Sequence, residues 1–111
     1  MLFSIYDTKS ELYGPLFEAE TPEAARRFIF QTLLRDETST LSMFSGDFTL
    51  NCLGDYFRDT GKVYPVDNIS VVCVVSDVKK DVDFYLMSRR NSLLEGGDGS
   101  NDDIVEASSN S

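Results

Sequence analysis

Asp47-Phe48-Thr49-Leu50-Asn51-Cys52-Leu53-Gly54-Asp55-Tyr56-Phe57-Arg58-Asp59-Thr60-Gly61-Lys62 reads as a β-hairpin. Phe48, Leu50 and Cys52 alternate with Thr49 and Asn51, and a period of two gives a strand one buried face. Asp59-Thr60-Gly61 then supplies turn chemistry. The Asp side chain can bond its own backbone, and Gly accepts the positive φ that closes a loop of three to five residues. Lys62-Val63-Tyr64 returns as the partner strand, ended or bulged at Pro65, which has no amide hydrogen to give a ladder.

Outward from this hairpin, Leu2-Phe3-Ser4-Ile5-Tyr6-Asp7 alternates and forms a first strand. Lys9 to Glu20 is expected to be a loop with apolar anchors at Leu16 and Phe17. A helix follows from Pro22 to about Arg35, with Thr21 as its cap, Pro22 at the first helical position and Glu23 at the positive end of the dipole. Ala25, Ile29, Leu33 and Phe30 share its apolar arc, into which Arg26 also falls; its stem can pack there while the guanidinium reaches an acid or water. Residues 36–46 connect to the hairpin. Ile69 to Val75 is almost continuously apolar and β-branched, the pattern of a strand covered on both faces. Residues 76–90 fit two periods: Val78, Val82, Tyr85 and Leu86 are spaced for a helix, and Val82, Phe84 and Leu86 for a strand. The helix, with Ser76 as cap, is the preferred reading. The fold class is therefore α+β, a small and mainly antiparallel sheet with one principal helix on one face. Sheet edges left by such a domain can pair between copies, so a homodimer is expected.

Of the 111 residues, 1–91 are assigned to a single domain and 92–111 to a disordered acidic tail, because Gly, Ser, Asn and Asp dominate there and cannot bury enough to order themselves. The formal charge is -9, but five of the acids and none of the cations lie in residues 92–111. Residues 1–91 thus hold ten cations against fourteen acids, a net -4, which excludes coating of nucleic acid by bulk charge and leaves room for a local basic face. A tethered polyanion of this kind either confers solubility or competes with nucleic acid for that face. There is no histidine, hence no general base of that type. Two cysteines are too few for a Cys-based zinc site, and no cofactor is expected. No charged-then-apolar leader and no apolar run of about 20 residues is present, so a cytosolic protein without membrane partners is expected.

Catalytic constellations are absent from this pattern. Asp55 and Asp59 flank the hairpin tip, but acids beside turns usually cap backbone amides, and Gly96-Gly97-Asp98-Gly99 has neither the strand nor the helix of a phosphate loop. The chain is not expected to be an enzyme. Binding has better support, because single-stranded nucleic acid is held by rings that stack on bases beside cations that meet phosphate. Tyr56, Phe57, Arg58 and Lys62 at the hairpin tip, Tyr64 on the return strand and Arg26 on the helix are the candidate binding residues. Lys79-Lys80 and Arg89-Arg90 bracket Phe84 and Tyr85 as a second cluster.

Phe3-Ser4-Ile5-Tyr6-Asp7-Thr8-Lys9 with Tyr13-Gly14-Pro15-Leu16-Phe17, Ala24-Ala25-Arg26-Arg27-Phe28, and Asp47 to Leu50 through Leu53-Gly54-Asp55-Tyr56 and Asp59-Thr60-Gly61 carry a resemblance. In this order and spacing, over residues 1 to about 65, the chain resembles the small nonstructural protein of gokushovirus-type microviruses, phages with circular single-stranded DNA. It departs at Ser45-Gly46, where a proline often precedes the hairpin Asp, and beyond residue 65. The resemblance implies an accessory role in viral DNA replication, in the cytoplasm of the bacterial host. That role is a DNA-binding one that favours single-strand synthesis. The alternative is an interaction module acting on the phage replication initiator, a host replication factor or capsid assembly without contacting DNA.

Overall fold

The computed structural model describes residues 1–96. It is α+β, with a five-stranded antiparallel sheet and helices packed on it. Strand β1 (Leu2–Asp7) lies between β4 (Phe48–Phe57) on one side and two short strands, β2 (Leu12–Tyr13) and β3 (Phe17–Glu18), on the other. Strand β5 (Lys62–Val74) pairs with β4 and closes the order β2-β1-β4-β5. Helix α1 spans Pro22–Arg35, α2 Thr40–Met43, and α3 Val75–Gly96.

Local chemistry accounts for the boundaries. The Thr21 hydroxyl accepts from the Ala24 amide at 3.0 Å and caps α1, while Pro22 takes a position whose amide needs no partner. The turn from β1 to β2 is held by Asp7, whose carboxylate accepts from the Lys9 amide at 2.9 Å and the Ser10 amide at 3.4 Å. The Lys9 amide, first among the causes, holds that carboxyl below the usual aspartate value. At the hairpin tip the Phe57 carbonyl accepts from the Gly61 amide at 2.7 Å, and Gly61 takes φ 76°, the left-handed region that only Gly enters freely.

The core lies between the sheet and the helices. Phe3, Leu50 and Cys52 from the sheet meet Ala25, Ile29 and Leu33 of α1 and Val75, Val78 and Val82 of α3, all buried. These three positions on α3, three and four residues apart, decide between the two periods of residues 76–90. Val78 and Val82 are fully buried and Phe84 is 72 % exposed, which is helical spacing.

Five expectations are corrected. The loop over Lys9–Glu20 contains β2 and β3, which cover the outer edge of β1; Phe17 packs on Phe3 and Phe28 at ring distances of 5.9 and 4.9 Å, whereas Leu16 is exposed and anchors nothing. The connector 36–46 contains α2 and the start of a 3-10 turn over Ser45–Asp47. The strands expected at Lys62–Tyr64 and Ile69–Val75 are one strand, in which Pro65 faces Gly54 and Ser70 faces Cys52, so the residues between them bulge against Leu53. Strand β5 is not covered on both faces. It is last in the sheet, and Val63, Ile69 and Val71 are exposed because the helices cover one face only. Helix α3 starts at Val75, so Ser76 lies within its first turn, and it continues past the division set after residue 91. The remainder of the acidic tail, residues 97–111, lies outside the described residues.

Both cysteines are free. Cys52 lies opposite Ser70, and Cys73 opposite Leu50, so neither faces the other across the ladder. Burial pushes the Cys73 thiol up, against the opposing effect of the Arg26 guanidinium beside it. Native protein is therefore expected to react with an aromatic disulfide reagent roughly tenfold more slowly than glutathione at neutral pH, with two fast-reacting thiols appearing on unfolding. Rapid labelling of the native chain would contradict this packing.

Candidate nucleic-acid interface

Cross-strand partners share a face of a ladder, so the register of the hairpin sorts the candidate residues. Asp55 faces Tyr64 and Phe57 faces Lys62, and all four lie on one side. Tyr56 faces Val63 on the other side. The first four line an open recess together with Asp59 and Thr60 of the turn. Within it the Phe57 and Tyr64 rings meet edge to face at 5.4 Å, each about half exposed. Edge-to-face contact leaves part of each ring face open to a third flat group. Among the described residues Lys62 forms no ion pair.

The structure therefore brings Phe57, Lys62 and Tyr64 together and leaves Tyr56 on the opposite face. Arg58, at the start of the turn, leans toward Glu18 of β3, with its Nε and Nη2 each 3.0 Å from Oε1. That carboxylate raises the arginine pKa further. Its side chain stays 66 % exposed, so water screens the pair. Arg26 lies apart from the hairpin recess, in a groove between α1 and α3 that Glu23, Arg27, Phe30, Val78 and Asp81 also line. Its guanidinium reaches Asp81 at 2.7 Å, the acid-seeking course its place on the apolar arc suggested.

The second cluster is likewise divided. Lys79 pairs with Asp83 at 3.0 Å, one helical turn away. Arg89 donates to the Tyr85 hydroxyl at 3.4 Å, the Tyr85 ring meets Phe30 edge to face at 5.9 Å, and Phe84 is exposed. The partners of Arg26 and Arg58 lie 55 and 40 residues away in sequence, and no local signal announces either. Among the described residues no group of three or more Cys, Asp or Glu is arranged to hold a metal ion, and no helix is long and apolar enough to cross a membrane.

With this geometry in hand, relatives are informative. A family model described as phage ORF5 protein matches residues 1–78, which span β1 through the first turn of α3 and include the whole hairpin. Protein ORF5 of Chlamydia phage 1 is 35% identical over 68 residues, covering 59% of this chain and 71% of the relative. No solved structure matches the chain. The resemblance carried by the first strand, the helix and the hairpin is thus shown, and the chain belongs to the phage ORF5 protein family.

Proposed function

We propose that this phage protein is a non-catalytic accessory factor of viral genome replication that binds single-stranded DNA with its hairpin tip in the bacterial cytoplasm. One observation carries the reading: two exposed rings, Phe57 and Tyr64, stand together beside Lys62, a cation that forms no ion pair among the described residues. An unstacked base can lie on such rings, with about 1–3 kcal/mol gained per stacked base. The Lys62 ammonium then meets a flanking phosphate. Arg58 adds a second phosphate contact by exchanging Glu18 for DNA, since water screens an ion pair this exposed. Tyr56 and Arg26 would take part only if the strand wrapped beyond the recess. Asp55 and Asp59 in the same recess oppose a dense polyanion, which favours a flexible single strand over duplex.

The test is binding of a labelled oligonucleotide read by fluorescence anisotropy over a salt series. Phe57→Ala with Tyr64→Ala is expected to weaken binding at least about tenfold. Arg58→Glu with Lys62→Glu is expected to weaken it and to flatten the salt slope by about 0.7 per phosphate lost. Affinity and slope unchanged by both pairs would overturn the reading.

A second reading, an interaction module that does not touch DNA, is favoured by the ion pairs that occupy Arg26, Arg58 and Lys79, three of only ten cations. It predicts a stoichiometric complex with the replication initiator, a host replication factor or a capsid-assembly intermediate, with no mobility shift of an oligonucleotide at low salt.

A further inference from the structure

We infer that the hairpin recess selects guanine among the bases of a single strand, with Asp55 accepting from one edge of the base and Lys62 donating to the next. This rests on the DNA-binding reading above and names the base that the recess takes. The four ladder residues on this face form two diagonals. Phe57 and Tyr64 occupy one, in ring contact at 5.4 Å. Asp55 and Lys62 occupy the other, so an acceptor and a donor flank the ring pair from opposite sides. Diagonal neighbours on a ladder lie about 7–8 Å apart, a separation that a purine spans.

The acids of this recess hold no turn together. Acids beside turns usually cap backbone amides, and Asp7 does so between β1 and β2. At the hairpin tip other groups serve instead. The Phe57 carbonyl accepts from the Thr60 amide at 3.3 Å and the Gly61 amide at 2.7 Å, and the Thr60 hydroxyl accepts from the Lys62 amide at 3.3 Å. Among the described residues no donor reaches the carboxylate of Asp55 or Asp59, and neither forms an ion pair. Against phosphate alone both charges are a cost. They become favourable where the ligand brings hydrogen-bond donors, and in a single strand of DNA those donors are on the base edges.

A carboxylate accepts and never donates, which ranks the four bases. Guanine sets N1–H and one N2–H side by side, so the two oxygens of one carboxylate can take both. Its O6 and N7, on the neighbouring edge, accept from an ammonium. Cytosine and adenine each bring a single exocyclic amine to the acid. Thymine brings one N–H between two carbonyl oxygens, which a carboxylate repels. The contact is assigned to Asp55 because β4 fixes its place opposite Tyr64, whereas Asp59 lies beyond the end of that strand.

Fluorescence anisotropy of the full chain with a labelled oligothymidine, its central base thymine, guanine or hypoxanthine, tests this. The guanine strand is expected to bind at least about tenfold more tightly than the all-thymine strand. Hypoxanthine keeps N1–H, O6 and N7 but lacks the N2 amine, and is expected to lose most of that gain. Asp55→Asn is expected to bring the guanine strand level with the all-thymine strand while tightening the latter, because one like charge is removed. Asp59→Asn is expected to keep the guanine preference, and circular dichroism checks that both exposed substitutions leave the fold intact. Equal affinity for the guanine and all-thymine strands, or a guanine preference that survives Asp55→Asn, would overturn this inference while leaving the DNA-binding reading in place. Binding of none of the strands would overturn both. Free deoxyguanosine monophosphate competing as well as the guanine strand would assign the recess to a mononucleotide and overturn the selection of a base within a strand.

Discussion

Gly54→Ala is expected to lower the unfolding free energy by about 2–3 kcal/mol and the melting temperature by roughly 10–20 °C. Gly54 sits in the middle of three strands, opposite Leu2 on β1 and Pro65 on β5. Its φ is not positive, so the constraint is one of approach and not of backbone conformation. A Cβ at this position would run into the Tyr64 carbonyl oxygen and lie 3.0 Å from the Pro65 Cα and 3.2 Å from the Tyr64 carbonyl carbon. All three are backbone atoms, so no side-chain rotation relieves the contact. The two arms of the hairpin must part where the bulge of β5 begins. Gly46→Ala is the control, because a Cβ there meets nothing within 4 Å, and its effect should stay within about 0.5 kcal/mol. Thermal unfolding of the two variants decides the matter; equal melting temperatures would show that β5 does not approach β4 this closely. The same substitution should weaken oligonucleotide binding as well, since it separates the strands that carry Phe57 and Tyr64.

Val82→Asp is expected to abolish folding at neutral pH, whereas Phe84→Asp is expected to change stability by no more than about 0.5 kcal/mol. Val82 is fully buried against the core of α1 and the sheet, so a carboxylate there loses its water without gaining a partner. That penalty is several kcal/mol, a large share of the ~5–15 kcal/mol that holds a domain of this size. Phe84 is 72 % exposed on the opposite side of α3. Were residues 76–90 a strand, Val82, Phe84 and Leu86 would share a face, and the two substitutions would act alike. Circular dichroism and denaturant titration separate the cases. The outcome that sinks the helical arrangement is comparable damage from both.

Some of the fold could be read directly. The alternation of Phe48, Leu50 and Cys52 predicts β4, and Thr21-Pro22 predicts the start of α1, because these signals depend on neighbours within a few residues. The two-residue strands β2 and β3 could not be read, since two residues define no period; they exist because β1 offers an edge to a chain that doubles back through Gly14-Pro15. Residues 76–90 satisfied both periods, and only the position of α1 over the sheet selected the helix by supplying Ala25, Ile29 and Leu33 for Val78 and Val82 to pack against. For the candidate interface, the cluster Phe57, Arg58, Lys62 and Tyr64 was visible as a composition. Its division was not: the register puts Tyr56 and Tyr64 on opposite faces, and Glu18 and Asp81 reach their arginines from distant segments.

Sequence alone determined β1, α1 and the two arms of the hairpin, the turn that closes it and the family to which the chain belongs. These follow from short-range periodicity, capping and turn chemistry, and from motifs kept in order. The tertiary structure alone decided that the apolar run Ile69–Val74 is an exposed edge and not an interior strand, and which acids reach Arg26 and Arg58. Both are matters of which surfaces meet. Strand order and ion pairing are settled by contacts between residues far apart in the chain, and local pattern holds no record of them.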